Sequence, residues 1–98
     1  MSNAVRVVVK VVARADTLAD IRAIVLTLAE KSRAETGCVV YDVIQNLAEP
    51  EVFLLVEEWE SIAALEAHNK TAHFHEAVAK SVPLLGKPLE VGRYRAIG

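Results

Sequence analysis

The sequence contains a single cysteine, Cys38, among its 98 residues. One cysteine cannot form an internal disulfide, and such low cysteine usage is typical of proteins in a reducing compartment. No apolar run approaches the roughly 20 residues that a membrane-spanning helix needs. The first residues also lack the apolar core of a secretory signal. These absences predict a cytoplasmic protein that does not act in a membrane.

The chain also lacks a large excess of charge of one sign, because 11 basic residues are offset by 13 acidic ones. The basic residues are scattered along the chain and form no stripe, so we do not expect nucleic acid as a partner. The sequence has neither a glycine-rich phosphate loop nor the strained serine turn of a hydrolase. Function must therefore come from a site without a familiar short motif.

Apolar residues are abundant and make up 53% of the chain. A chain of this length forms one domain, which we place at residues 4–98. A domain this small buries only about 60–65% of the surface that its unfolded chain exposes. The apolar content exceeds what one small core easily hides, so we expect an oligomer.

The order of predicted elements indicates an α+β fold. Alternating and β-branched runs predict strands, and spacings of three and four predict an amphipathic helix after a capping box at Thr17 and Asp20, with Asp16 as an alternative cap. Gly37 is a natural stop for that helix, and Ser61 can cap the next one. The resulting order, β-α-β-β-α-β, is the ferredoxin-like arrangement, an antiparallel four-stranded sheet with both helices on one face. Strands are predicted at 5–13, 38–47, 51–59 and 89–96, and helices at 17–36, 61–69 and 71–82.

The sheet face without helices needs a cover of its own. In the second strand Val39, Tyr41 and Val43 are predicted to oppose Cys38, Val40 and Ile44, so both faces are apolar. An exposed apolar sheet would be a large adhesive patch. A second copy of the chain, stacked sheet on sheet, is the simplest cover, and we predict a homodimer through this face.

Polar and aromatic side chains concentrate between Phe53 and His75, a segment that holds the one tryptophan and all three histidines. Strand alternation places Phe53, Leu55, Glu57 and Trp59 on one face. If this face meets the helices, Glu57 is a carboxylate in apolar surroundings and needs a partner. The nearest candidate is His68, and a Glu57–His68 pair would fix the imidazole tautomer and raise its basicity.

Four groups of residues carry a family resemblance: Gly37-Cys38-x-x-Tyr41, Pro50-x-x-Phe53-x-Leu55-x-Glu57-x-Trp59-x-Ser61, Ala64-Leu65-x-Ala67-His68-x-x-Thr71-x-His73-Phe74 and Arg93-Tyr94. Through these residues the sequence resembles the antibiotic biosynthesis monooxygenase family of dimeric α+β barrel proteins over nearly its whole length. The resemblance implies a pocket between the sheet and its own helices. It also implies oxidation of a hydroquinone or polyphenol by molecular oxygen without metal, haem or flavin, so no cofactor is expected. The haem-degrading branch fits less well, because His68 and Val78 stand where that branch has tryptophan and the axial histidine.

We therefore predict His68 as a general base and Glu57 as its orienting partner. A positioned base of this kind typically contributes about 10²–10⁴-fold to a rate. Each role has a structural alternative: a hydrogen bond at a helix end for His68, and a strand-to-helix tie for Glu57. Core packing, capping or a surface position would equally account for the remaining residues. The predicted pocket residues for a small aromatic ligand are Phe53, Leu55, Trp59, Phe74, His73 and Tyr41.

Histidine spacing argues against a metal centre. On a continuous helix His73 and His75 point about 200° apart, and His68 and His75 lie about 10 Å apart along the axis. No pair has the i, i+4 spacing of a helical metal site, so none is expected.

Two other functions stay open at this point. One is a non-catalytic, dimeric ligand-binding or stress-response protein, which a filled interior would favour. The other is an isomerase of a small hydroxy-carbonyl compound, which needs polar groups converging on the ligand.

Overall fold

The computed structural model describes residues 3–98 and has the predicted ferredoxin-like α+β architecture. The predicted second helical region is divided in two, as its sequence indicates, and short 3-10 turns occupy Ala15–Thr17 and Val82–Leu84. Within residues 3–98, no helix is long and apolar enough to cross a membrane. The strands are β1 (Val5–Val12), β2 (Cys38–Gln45), β3 (Val52–Trp59) and β4 (Glu90–Tyr94), and the helices are α1 (Leu18–Arg33), α2 (Ile62–Asn69) and α3 (Ala72–Ser81).

The four strands form one antiparallel sheet in the order β2-β3-β1-β4. Glu57 on β3 stands opposite Tyr41 on one side and Val7 on the other, and Val7 stands opposite Arg93 on β4. This register draws a row of four residues across the sheet from edge to edge. Since residues in register share a face, the row places a tyrosine, a carboxylate and an arginine on the helix side.

The predicted inner face of β3 is confirmed. Phe53, Leu55, Glu57 and Trp59 are all buried, while the residues between them are only partly covered. The core packs these side chains against the inner face of β1 and the apolar faces of the helices. Its aliphatic and aromatic members are Val7, Val11, Ala13, Ile21, Val25, Leu28, Ala29, Tyr41, Phe53, Leu55, Trp59, Leu65 and Ala77.

The predicted alternation of β2 is wrong at its beginning. The register with β3 shifts between Cys38 and Val40, which leaves Val39 as the extra residue of a bulge. Val39 is consequently 52% exposed, whereas Cys38 packs against the core together with Val43, beside the buried Tyr41. An insertion of one residue changes the face of every side chain before it, which period-two reasoning cannot anticipate.

The predicted capping box of the first helix is also wrong. Thr17 makes no side-chain cap to α1. Its hydroxyl instead accepts a hydrogen bond from the Arg14 N–H at 2.9 Å and donates one to the Leu84 carbonyl at 2.7 Å. The threonine therefore ties the start of α1 to the turn after α3. The cap predicted at Ser61 is confirmed, because its hydroxyl accepts from the Ala64 N–H at 3.1 Å.

The sheet face opposite the helices is partly apolar and open. Val40, Ile44 and Tyr94 are 37%, 50% and 58% exposed. The Tyr94 ring folds back over Gly92, where an added Cβ would lie 2.4 Å from the tyrosine hydroxyl. Glycine at this position therefore lets an aromatic ring lie flat on the outer surface of the sheet.

Candidate functional site

A cavity of about 160 Å³ lies between the inner face of the sheet and the three helices. An engineered apolar cavity of about 150 Å³ can hold benzene, so the space suits roughly one aromatic ring. Most of its lining is aliphatic, which favours an apolar ligand body. The polar residues among its walls are Tyr41, Glu57, His68, Asn69, Ser81 and Arg93.

His68 belongs to the last turn of α2 and is 1% exposed. Its Nδ1 lies 2.6 Å from Oε2 of Glu35, and its ring stacks at 4.4 Å between centroids on Trp59. Phe74 contacts the same ring edge-on at 5.2 Å. Because a carboxylate oxygen accepts hydrogen bonds, Nδ1 carries the proton and Nε2 keeps the lone pair. The imidazole is thus held in one orientation and one tautomer at the cavity wall.

The predicted Glu57–His68 pair is wrong, because Glu57 has other partners. Oε1 of Glu57 accepts a hydrogen bond from Nε1 of Trp59 at 2.9 Å. Burial raises the pKa of Glu57 to about 7, against the opposing effect of its hydrogen bonds from Trp59 and Tyr41. Glu57 is therefore a carboxyl group that gains and loses its proton near neutral pH.

Glu35 is the partner that sequence reasoning missed. It lies in the turn between α1 and β2, where its N–H donates to the Ser32 carbonyl and its own carbonyl accepts from the Cys38 N–H. Gly37 completes this turn at a φ of +90°, a conformation that favours glycine. The turn brings the Glu35 carboxylate to the open end of α2. In sequence it stands among polar residues, 31–36, at the end of the predicted first helix, where a glutamate is usually solvated.

His73 reaches the same carboxylate, with Nε2 2.8 Å from Oε2 of Glu35. The helix is interrupted between α2 and α3, and Thr71 stabilises this interruption through hydrogen bonds to both helices. Its hydroxyl accepts from the Phe74 N–H at 3.2 Å and donates to the His68 carbonyl at 2.8 Å. The spacing argument against a histidine cluster assumed one continuous helix, and that assumption fails here. Donor atoms of Glu35, His68 and His73 all lie within 4.8 Å of one another.

Burial sets the protonation state of His68 more strongly than its ion-pair partner does. Desolvation lowers the pKa of the imidazole, and the opposing influence of Glu35 does not restore it to the ordinary value. His68 is therefore neutral at neutral pH. A neutral imidazole with a free Nε2 can accept a proton from a ligand in the cavity.

The predicted site residues separate into three groups. Tyr41, Leu55, Glu57, His68 and Phe74 line the cavity. Phe53 and Trp59 lie in the core behind it. His73 lines a second, shallower groove between α1 and α3, together with Lys31 and Lys80. Sequence reasoning assigned no pocket role to Arg93 or Asn69, although Arg93 follows from the pairing of β4 with β1.

Residues 4–80 match the family model described as antibiotic biosynthesis monooxygenase. Among curated proteins, "Putative monooxygenase YcnE" of Bacillus subtilis is 43% identical over 67 residues, which are 68% of this chain and 70% of that protein. "Putative monooxygenase Rv0793" of Mycobacterium tuberculosis is 30% identical over 91 residues, 93% of this chain and 89% of that one.

Solved structures show the same likeness in three dimensions. The structure of Rv0793 superimposes with a TM-score of 0.92 at 26% identity and covers 97% of this chain and 96% of that chain. A protein of Caulobacter crescentus described as a putative antibiotic biosynthesis monooxygenase gives a TM-score of 0.91 at 26% identity, over 99% of this chain and 92% of that one. Together with the sequence matches, these likenesses extend over nearly all of the fold.

Proposed function

The chain belongs to the antibiotic biosynthesis monooxygenase family, and from this premise we propose that it oxidises a hydroquinone- or polyphenol-type aromatic with molecular oxygen. Residues 4–98 would act as one catalytic unit. His68 removes a hydroxyl proton from the bound ring, and the resulting anion reacts with oxygen in the cavity.

The observation that carries this proposal is the setting of His68. A buried imidazole borders an apolar cavity of about one-ring size, and a carboxylate 2.6 Å from Nδ1 leaves Nε2 as the acceptor. The stacked Trp59 and the edge-on Phe74 prevent the ring from turning. A base held this firmly needs no reorganisation when the substrate arrives.

The chemistry explains why a base is the central requirement. A phenolic hydroxyl has a pKa of about 10, so little of the anion exists in neutral water. The anion gives up an electron to oxygen far more readily than the neutral phenol does. Transfer of one electron from the anion to oxygen leaves a substrate radical and superoxide. Recombination of these two radicals forms a C–O bond, and loss of water then leaves a hydroxyquinone. A hydroquinone supplies all four electrons that reduce O₂, with one oxygen atom entering the product and the other leaving as water.

Glu35 takes over the orienting role that the sequence assigned to Glu57. Glu57 and Tyr41 stand side by side in the sheet and offer the cavity a second polar region. We propose that they hold the other hydroxyl of the substrate, because a carboxyl group that exchanges its proton near neutral pH can donate or accept as needed. The aliphatic walls enclose the remainder of the ring.

Oxygen consumption with a panel of substituted hydroquinones tests this proposal. His68→Ala and His68→Gln should each lower kcat by about 10²–10⁴-fold, the usual contribution of a general base. His75→Ala is the matched control, because His75 is exposed on α3 and should leave turnover unchanged. Circular dichroism confirms that each variant is folded. Equal kcat in His68→Gln and the unmodified protein would remove His68 from the mechanism.

The non-catalytic alternative loses its main support. A filled interior would favour it, and the cavity of about 160 Å³ leaves the interior open. Binding of aromatic diols without any oxygen uptake, across the whole panel, would return this alternative to first place.

We also propose that two copies of the chain stack through the helix-free face of the sheet. The exposed Val40, Ile44 and Tyr94 lie on this face, and their burial would remove an adhesive patch from water. The Arg6–Glu58 ion pair at 3.1 Å, which joins the two central strands on this face, would limit the register in which copies meet. Sedimentation should show a dimer that Ile44→Lys converts to monomer. A monomer in the unmodified protein at micromolar concentration would refute this arrangement.

A further inference from the structure

Two imidazoles and one carboxylate converge where the cavity, which His68 lines, adjoins the shallower groove between α1 and α3, which His73 lines. We call this second groove the outer groove. Oε2 of Glu35 lies 2.6 Å from Nδ1 of His68 and 2.8 Å from Nε2 of His73. Two histidines with one glutamate form a donor set that zinc and related divalent transition metals take, with further positions left to water. We propose that Glu35, His68 and His73 bind such a metal ion, and that its binding switches off His68 as a base.

The geometry needs only small adjustments to admit an ion. Zinc lies about 2.0–2.2 Å from nitrogen and oxygen ligands, so ligand atoms around it are roughly 3.0–3.5 Å apart. The 2.6 Å and 2.8 Å contacts of Glu35 must open by up to about 0.9 Å, and the two histidine nitrogens, which lie within 4.8 Å of each other, must come closer together. His68 is fixed by its aromatic neighbours, whereas the side chains of Glu35 and His73 are 14% and 20% exposed. The required movement therefore falls on the two ligands that are free to make it.

The outer groove gives the ion a route that does not pass through the substrate cavity. His73 is part of the groove wall between α1 and α3, and Glu76 lines the same groove. Glu76 is paired with Lys80 at 2.7 Å, so it leaves the metal site to the three converging side chains. Water can complete the coordination from this side.

Metal binding would reverse the role of His68 by changing its tautomer. At rest Nδ1 donates to Glu35, and Nε2 is the acceptor. A metal on Nδ1 displaces that proton, and the neutral ring then carries it on Nε2. His73 exchanges its proton in the same manner, from Nε2 to Nδ1, so no proton is gained or lost overall. With an N–H directed at the cavity, His68 can no longer accept the substrate proton.

Calorimetry with ZnCl₂ and untagged protein tests the site directly. We expect one ion per chain, and Glu35→Gln and His73→Ala should each weaken binding by at least about tenfold, since even supporting residues around metals matter by about 10–100-fold. His75→Ala, which removes an exposed histidine from the same helix, should bind as the unmodified protein does. Co²⁺ should give the visible absorption of a site with bound nitrogen ligands, and this absorption should disappear in Glu35→Gln. No binding up to millimolar zinc, or binding that neither variant weakens, would overturn the site.

The switch rests on the proposed function, whereas the metal site does not. Zinc at saturation should abolish oxygen consumption in the unmodified protein, and chelation should restore it. Zinc that binds with no effect on measurable turnover would refute the switch and leave the site standing. Zinc binding that the two variants weaken, in a protein that oxidises none of the hydroquinones, would support the site and count against the proposed oxidation alone.

Discussion

Glu57→Gln should make the protein more stable, and the gain should grow with pH. Glu57 is 4% exposed, and burial raises its pKa to about 7 from the ordinary value of 4.5. At about 1.4 kcal/mol for each pKa unit, this difference corresponds to about 3 kcal/mol. Glutamine keeps a carbonyl oxygen that can accept from Nε1 of Trp59, but it cannot ionise. The substitution therefore removes the cost of burying a charge and retains the hydrogen bond.

The sign follows from which state holds the proton. Between pH 4.5 and about 7 the folded protein keeps a proton on Glu57 that the unfolded chain has already released. This contribution to stability is present below pH 4.5, declines as the pH rises, and is lost once the pH passes about 7. Glutamine has no such dependence. The gain in unfolding free energy from Glu57→Gln should thus be about 2–3 kcal/mol larger at about pH 8.5 than at about pH 5.

Urea unfolding followed by fluorescence measures this difference. Trp59 is the single tryptophan and is fully buried, so its emission reports unfolding without added labels. Glu66→Gln is the matched control, because it makes the same chemical change at an exposed position of α2 and should leave the pH dependence unaltered. A Glu57→Gln advantage of equal size at both pH values would show that Glu57 does not titrate in this range. The reasoning from burial would then fail.

Two further substitutions probe the segments that position His68. Gly37→Ala should destabilise the fold by about 1–3 kcal/mol, because φ is +90° and the new Cβ would lie 2.7 Å from Cβ of Ala64. The urea unfolding midpoint should fall accordingly, and an unchanged midpoint would contradict this reasoning. Thr71→Ala should cost about 1 kcal/mol by removing the cap of α3, and Thr71→Ser should recover most of that loss in thermal unfolding. Equal losses in the alanine and serine variants would rule out the hydroxyl as the cause.

The architecture was accessible from the sequence because its signals are local. Alternation in β3, the cap at Ser61 and the glycine after α1 each depend on neighbours within a few residues, and all three are confirmed. The errors arose where a local pattern is interrupted. The bulge at Val39 and the hydrogen bonds of Thr17 depend on partners in other segments, and no periodicity encodes them.

The site was less accessible, because its key contact joins residues 33 positions apart. His68 was identified from its position after a strand of apolar and aromatic residues, and it does line the cavity. Glu35 carried no signal, since a glutamate in a polar turn is usually solvated. His73 carried a weak one: Thr71 is a good N-cap residue, and a cap between His68 and His73 indicates that the helix ends there.

The choice of Glu35 over Glu57 follows from the sheet itself. Glu57 lies beside Tyr41 in the sheet and accepts from Nε1 of Trp59 at 2.9 Å, whereas Nδ1 of His68 pairs with Glu35 at 2.6 Å. The carboxylate that orients His68 comes from outside the sheet, from the turn that Gly37 closes. Substitutions at Glu57 and at Gly37 should consequently have different effects on the His68 ring. Glu57→Gln should change stability and its pH dependence with the His68 ring still held, whereas Gly37→Ala should displace Glu35 and release the ring. The ¹⁵N shifts of the His68 imidazole distinguish these outcomes, because a released ring exchanges between its two tautomers.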